Sequence, residues 1–126
     1  MIQSILLVAL GGAAGSVARF LVVTGMGRVV AGWPLGTLMV NVAGSFAIGV
    51  LFVVLTQRAH LAPLLVAGFL GGFTTFSAFS LDTLKLWEGG AAVQAALYVA
   101  ASVILSLLAV ALGAAVMGAC GPALAQ

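Results

Sequence analysis

Four long apolar segments with short connections between them constrain this chain more than any other feature. By hydropathy they cover approximately residues 5–23, 35–55, 61–81 and 93–117. Each reaches the roughly 20 residues that a helix needs to cross the hydrocarbon core of a bilayer. The pattern predicts an all-α integral membrane protein with four transmembrane helices, forming a single domain over residues 1–126.

Charge and cysteine content exclude several classes of protein. Charged residues make up 5% of the 126 residues and hydrophobic residues 64%, whereas a soluble domain carries about 25% charged residues. The net charge of +2 lies on too few residues to predict nucleic-acid binding. The only cysteine, Cys120, cannot form an intrachain disulfide or a metal-thiolate cluster. We therefore expect the lipid bilayer, and no nucleic acid, as a partner.

The charges in the predicted loops are nearly balanced across the membrane. With four spans, Arg58 lies on the side of both termini, while Arg28 and Lys85 lie on the other side. Because positive charges orient such proteins, a difference of one or two charges barely specifies one orientation. Two interpretations follow: weakly biased insertion in one orientation, or insertion in both orientations to give an antiparallel homodimer. Four short helices alone have little interior for a solute pathway, and this favours assembly of more than one copy.

The third apolar segment is interrupted by the sequence Gly-Gly-Phe-Thr-Thr-Phe-Ser at 71–77. Glycine loses much backbone entropy when it is ordered, and threonine is stiff and can bond its own backbone. A break at membrane depth is tolerated only where the freed backbone groups meet protein, water or an ion. We therefore predict a broken third helix at which the function lies. Inward carbonyl groups of such a break can coordinate a monovalent cation such as Na⁺.

Polar residues recur every fourth position in two of the segments. The stripes are Thr37, Asn41 and Ser45 in the second segment, and Gln94, Tyr98, Ser102 and Ser106 in the fourth. Hydrogen bonds between membrane helices are one explanation, but two stripes together with an interrupted helix favour a solute pathway. Asn41 is the strongest candidate, because a buried amide without partners is costly and its two N–H groups can donate to an anion.

The middle of the segments lacks charged residues, and this limits the kind of solute that a pathway could carry. Asp82 and Glu88 fall at the end of the third segment and in the following loop, whereas ion-coupled pumps usually carry a carboxylate within the membrane. This argues against an exporter of the small multidrug type. Arg19 is expected to reach toward an interface or to line a vestibule. A pathway without full charges suits an anion that is held weakly.

Phe76 and Phe79 lie three residues apart, so they share a helix face if the helix resumes after Thr75. A phenyl ring has a positive edge, and such edges can stabilise an anion that has lost water. Lipid contact or core packing is the alternative interpretation of the two rings.

Three motifs together resemble those of the Fluc (CrcB) fluoride channels, and the resemblance covers essentially the whole chain. They are GGAAGSVAR at 11–19, WPLGTLMVN at 33–41 and GFLGGFTTFSAFS at 68–80. The resemblance implies a passive fluoride export channel, not an enzyme, in the cytoplasmic (inner) membrane. It also implies a dual-topology homodimer with two antiparallel fluoride pores and a structural Na⁺ at the dimer centre.

The resemblance also assigns roles to individual residues. The fluoride pathway corresponds to Asn41, Phe76, Phe79, Tyr98, Ser102 and Ser106, the Na⁺-binding carbonyls to Gly71 and Thr74, and a vestibule or structural role to Arg19. One position departs from the family pattern: Ala78 stands where threonine is frequent, so a hydroxyl is missing beside the phenylalanines.

Three other functions remain open at this point. The chain could be an ion-coupled exporter of a small solute, resembling the small multidrug-resistance transporters, a channel for another anion, or a non-transporting membrane assembly subunit. Uphill flux driven by a proton gradient, chloride conductance, and absence of flux from the purified protein would identify them in turn.

Overall fold

The computed structural model describes residues 1–26 and 32–124, in which helices occupy the predicted segments. The helices are α1 (Ile2–Gly25), α2 (Leu35–Val54), a 3₁₀ turn (Ala59–Leu61), a π-helix (Pro63–Leu70), α3 (Gly71–Phe73), α4 (Phe76–Glu88) and α5 (Ala92–Leu124). Four stretches of the described residues are long and apolar enough to cross a membrane: Ile2–Gly25, Leu35–Val54, Ala59–Glu88 and Ala92–Cys120. The predicted all-α membrane architecture is confirmed at this level. Arg28, which entered the count of loop charges, lies outside the described residues.

Local sequence signals explain where several helices begin. Pro63 is in the first turn of the π-helix, where its fixed φ is favourable and its missing N–H is not needed. Thr75 precedes α4 in an extended conformation, and its hydroxyl accepts a hydrogen bond from the N–H of Ala78 at 3.1 Å. This is the usual role of threonine as a helix N-cap. Gly90, in the turn between α4 and α5, has a φ of 79° that favours glycine.

The helices pack in two main pairs. α1 lies against the π-helix and α3, α2 lies against α5, and α4 packs on α5. Glycines allow the first pair to approach closely, because a Cβ at Gly11 would overlap the carbonyl oxygen of Leu64 and one at Gly15 that of Phe69. Gly11 and Gly15 thus serve close helix packing, as small residues commonly do between membrane helices.

Much of the apolar surface of the chain faces outward. Phe52 is 74% exposed and Phe76 is 79% exposed, whereas Val40 and Tyr98 are fully buried. An outward apolar surface is expected of membrane helices, since lipid tails are as apolar as the side chains that they contact.

Candidate functional site

A cleft of about 420 Å³ lies between α2, the π-helix, α5 and the beginning of α4. Most of the residues predicted to carry function line it: Asn41, Gly71, Thr74, Phe76, Phe79, Ser102 and Ser106. The remaining walls are largely aliphatic. Asn41 and Ser106 thus line the same cleft although they are 65 positions apart in the sequence.

Two of the predicted site residues lie outside the lining of the cleft. Tyr98 is fully buried behind it, with its ring centroid 5.5 Å from that of Phe79 and 6.4 Å from that of Trp33. Arg19 extends from α1, and its Nη1 donates to the carbonyl oxygen of Thr74 at 3.4 Å. No motif or spacing in the sequence indicates this contact between the arginine and the third segment.

Thr74 and Thr75 form an extended junction between α3 and α4. Their φ and ψ angles are −79° and 157°, and −154° and 115°, respectively. Gly71 and Gly72, in contrast, keep helical geometry within α3. The hydroxyl of Thr74 donates to the carbonyl oxygen of Leu70 at 2.8 Å, which orients this side chain at the end of α3.

The side chain of Asn41 pairs with the backbone of Thr75 through two hydrogen bonds. Its Nδ2 donates to the Thr75 carbonyl oxygen at 3.0 Å, and its Oδ1 accepts from the Thr75 N–H at 2.8 Å. The pair satisfies backbone groups that an extended residue would otherwise leave unpaired at membrane depth. Because a side-chain amide has two N–H donors, one of them remains for the cleft.

This pairing frees the carbonyl group of Gly71. In an uninterrupted α-helix the N–H of Thr75 would donate to the carbonyl oxygen of Gly71, but it donates to Asn41 instead. The carbonyl of Thr74 also belongs to an extended residue, and Arg19 contacts it only at the long distance of 3.4 Å. Two backbone oxygens of cleft-lining residues are thus available as ligands.

Backbone oxygens are the main candidates for metal ligands at this site. Throughout 1–26 and 32–124, no group of three or more His, Cys, Asp or Glu side chains is placed to hold a metal ion. Unwound carbonyl groups of broken membrane helices are a typical ligand set for Na⁺.

Hydroxyl groups follow α5 along one side of the cleft. Tyr98 and Ser102 lie one helical turn apart, and neither hydroxyl has a hydrogen-bond partner among the described residues although both are buried. A buried polar group without a partner costs about 1–3 kcal/mol. Ser106 continues the row into the cleft. Ser102 and Ser106 line the cleft and have hydroxyls able to donate to a solute in it, whereas Tyr98 lies behind the lining.

The phenylalanine pair lies where α4 begins. The ring centroids of Phe76 and Phe79 are 5.3 Å apart, and both rings line the cleft. The two residues share a face because the helix resumes at Phe76. Phe76 is 79% exposed although it lines the cleft.

The remaining members of the two polar stripes do not reach the cleft. Thr37 donates from its Oγ1 to Oδ2 of Asp82 at 2.6 Å, and Gln94 is exposed. Sequence reasoning did not connect Thr37 with Asp82. Thr37 lies at the start of the second predicted segment and Asp82 just after the end of the third, so both lie on the same side of the membrane, and this shared level was the available signal.

Comparison with known proteins gives consistent matches over most of the chain. Residues 6–114 match a family model described as "CrcB-like protein, Camphor Resistance (CrcB)". A protein of Paracoccus denitrificans called "Fluoride-specific ion channel FluC" is 56% identical over 115 residues, which are 90% of this chain and 93% of the relative. Proteins with the same name from Cereibacter sphaeroides and Rhizobium etli are 56% identical over 109 residues and 52% identical over 124 residues. These alignments cover 85% and 94% of this chain, and 88% and 98% of the relatives.

Proposed function

The chain belongs to the CrcB-like family, and on this premise we propose that it is a passive, fluoride-selective anion channel that exports fluoride and lowers its cytoplasmic concentration. The match over residues 6–114 confirms the resemblance that the sequence motifs indicated. The observation that carries the proposal is the set of uncharged hydrogen-bond donors at the cleft: the second N–H of Asn41 and the hydroxyls of Ser102 and Ser106. Relatives that carry the name of a fluoride channel are similar over nearly their whole length.

Uncharged donors suit a permeating anion for an energetic reason. Fluoride must shed water to enter a narrow pathway, and amide and hydroxyl donors replace part of that hydration. A full positive charge in the pathway would bind the anion too tightly to release it. Arg19 donates to the carbonyl of Thr74 but does not itself line the cleft.

The proposal is tested by efflux from liposomes that hold the purified protein. Vesicles loaded with potassium fluoride are diluted into fluoride-free buffer, valinomycin clamps the potential, and an electrode follows the released fluoride. We expect fast fluoride release from protein-containing vesicles and little chloride release in a matched assay. Fluoride accumulated against its gradient by a proton gradient would instead identify an ion-coupled exporter. Absence of any flux would identify a non-transporting subunit.

The phenylalanine pair gives a second test of the pathway. Phe76→Ile and Phe79→Ile keep roughly the volume of the side chain but remove the positive ring edge. We expect each substitution to lower fluoride efflux about tenfold, equivalent to the upper end of the roughly 0.5–1.5 kcal/mol of an aromatic contact. Phe46→Ile, an exposed position on α2 outside the cleft lining, is the matched control. Wild-type efflux from both pathway variants would show that the two rings serve only packing.

We also propose that the channel is an antiparallel, dual-topology homodimer in the cytoplasmic (inner) membrane. The near balance of the loop charges supports insertion in both orientations. The exposure of Phe76, an apolar residue of the cleft lining, supports a second copy that covers it.

Labelling of a single cysteine tests the orientation. In a Cys120→Ala background, Gln57→Cys places one thiol in the exposed loop after α2. A membrane-impermeant maleimide should label this thiol from either side of the membrane, because both orientations are present. The Cys120→Ala protein without the new thiol controls for background labelling. Labelling from one side alone would exclude the antiparallel dimer.

We propose in addition that a structural Na⁺ is held at the dimer centre by the carbonyls of Gly71 and Thr74 from both copies. The release of the Gly71 carbonyl from its helical partner supports this ligand set. The ion would neutralise carbonyl dipoles that water cannot reach. Fluoride efflux should therefore not respond to reversal of a Na⁺ gradient. Crystals soaked in a thallium salt should show anomalous density between these carbonyls, and density elsewhere alone would contradict the site.

A further inference from the structure

Gly44 is buried in the middle of α2, three residues after Asn41 and on the same face of the helix. A Cβ built at Gly44 would overlap the Cγ2 methyl of Thr74. The next nearest atoms, Cδ1 of Phe73 at 3.5 Å and Cβ of Thr74 at 3.7 Å, are at ordinary van der Waals distances. The space beside Gly44 is therefore filled by one methyl group.

The methyl of Thr74 is held in this space by the other branch of its side chain. The hydroxyl of Thr74 donates to the carbonyl oxygen of Leu70 at 2.8 Å. A threonine has few staggered positions at χ1, so the hydroxyl bond fixes where the methyl points. Moving the methyl away from Gly44 would cost this hydrogen bond.

Thr75, the next residue along the chain, is held by the same face of α2. Asn41 binds both backbone groups of Thr75, while Gly44 receives the side chain of Thr74. Thr75 in turn caps α4. Two contacts from one helix thus fix two consecutive extended residues immediately before Phe76.

From this arrangement we infer that Gly44 is a positioning residue for the pathway. The contact between Gly44 and the Thr74 methyl sets where α4 begins, and through it the positions of Phe76 and Phe79 relative to the donors on α2 and α5. This inference deepens the proposed function and rests on it for its transport readout.

A compensating pair of substitutions tests the contact. Gly44→Ala introduces the overlap, and Thr74→Ser removes the methyl while it keeps the hydroxyl that binds Leu70. We expect fluoride efflux to fall about tenfold in Gly44→Ala and to recover to within about threefold of wild type in the double variant. Gly49→Ala is the matched control, because its Cβ would overlap the backbone oxygen of Val110, and Thr74→Ser should not rescue it.

Fluorine NMR separates positioning from general loss of structure. Para-fluorophenylalanine incorporated at Phe79 reports on a ring that lies between Phe76 and Tyr98. Its resonance should shift in Gly44→Ala and return toward the wild-type position in the double variant. Because this readout needs no transport, it stays informative if the wild-type protein carries no fluoride and the proposed function fails.

The outcomes that overturn the inference are specific. Wild-type efflux and an unshifted resonance in Gly44→Ala would show that the contact positions nothing. Loss of efflux that Thr74→Ser does not restore in folded protein would assign the effect to something other than this methyl. If Gly44→Ala alone does not fold, the Thr74→Ser variant carries the test. Its resonance must shift and must return when Gly44→Ala fills the space, and an unshifted resonance there overturns the inference.

Discussion

Asn41→Asp is expected to abolish fluoride efflux, with a fall of at least about a hundredfold. The substitution keeps an oxygen that accepts from the N–H of Thr75, but it replaces the Nδ2 donor that lies 3.0 Å from the Thr75 carbonyl oxygen. Two oxygens without a proton between them cannot form a hydrogen bond. The remaining N–H that could donate to fluoride is lost as well, and a hydrogen bond to a charged group is worth about 1.5–3 kcal/mol.

The control for Asn41→Asp is the same chemical change outside the cleft. Gln57→Glu converts an exposed loop amide into a carboxylate, and we expect it to keep wild-type efflux. Both proteins are compared by fluoride electrode in liposomes after size-exclusion chromatography. Normal efflux from a monodisperse Asn41→Asp protein would remove Asn41 from the pathway.

Gly15→Ala is expected to destabilise the protein and to lower the recovery of folded protein severalfold. A Cβ at this position would overlap the carbonyl oxygen of Phe69 and would lie 2.9 Å from the backbone nitrogen of Phe73. These are backbone atoms of the π-helix and α3, so they cannot turn aside as a side chain can. Overpacking typically costs about 1–3 kcal/mol, and occasionally more. We expect the yield of monodisperse protein to fall severalfold and its melting temperature to drop.

Gly12→Ala provides a control on the same helix. A Cβ at Gly12 meets only the carbonyl oxygen of Gly68, at the relaxed distance of 3.9 Å. The substitution also replaces glycine by a better helix former, worth up to about 1 kcal/mol. Gly12→Ala should therefore fold as well as the wild-type protein. Equal yields and equal melting temperatures for Gly12→Ala and Gly15→Ala would show that the α1 contact tolerates a side chain.

The positions of the helices follow from the sequence because they depend on local chemistry. Hydropathy predicted four membrane segments, and helices that are long and apolar enough to cross a membrane occupy all four. The proline at Pro63 and the spacing of Phe76 and Phe79 are equally local signals. The eight-residue π-helix that begins at Pro63 has no comparable local signal in the sequence, and the stretch packs against α1.

The details of the site depend on contacts between distant residues. Gly71 and Gly72 are strong helix-breaking signals in the sequence. The residues that adopt an extended conformation, however, are Thr74 and Thr75. The reason is that Asn41, 34 positions earlier, supplies the hydrogen bonds that Thr75 gives up by leaving the helix. Burial of the Tyr98 hydroxyl and the contact of Arg19 with Thr74 arise in the same way. Such pairings cannot be obtained from spacing along one helix.

The pairing of Asn41 with Thr75 has a consequence for how the protein is assembled. Both backbone groups of the extended residue are satisfied by a side chain of the same chain, so this irregular geometry does not depend on a neighbouring subunit. Membrane proteins commonly insert their helices first and associate them afterwards. A newly inserted copy can therefore hold Thr75 in its extended conformation in the bilayer while it is alone. In the antiparallel dimer proposed above, association would then join two copies whose junctions are already formed, which lowers the conformational entropy lost at that step.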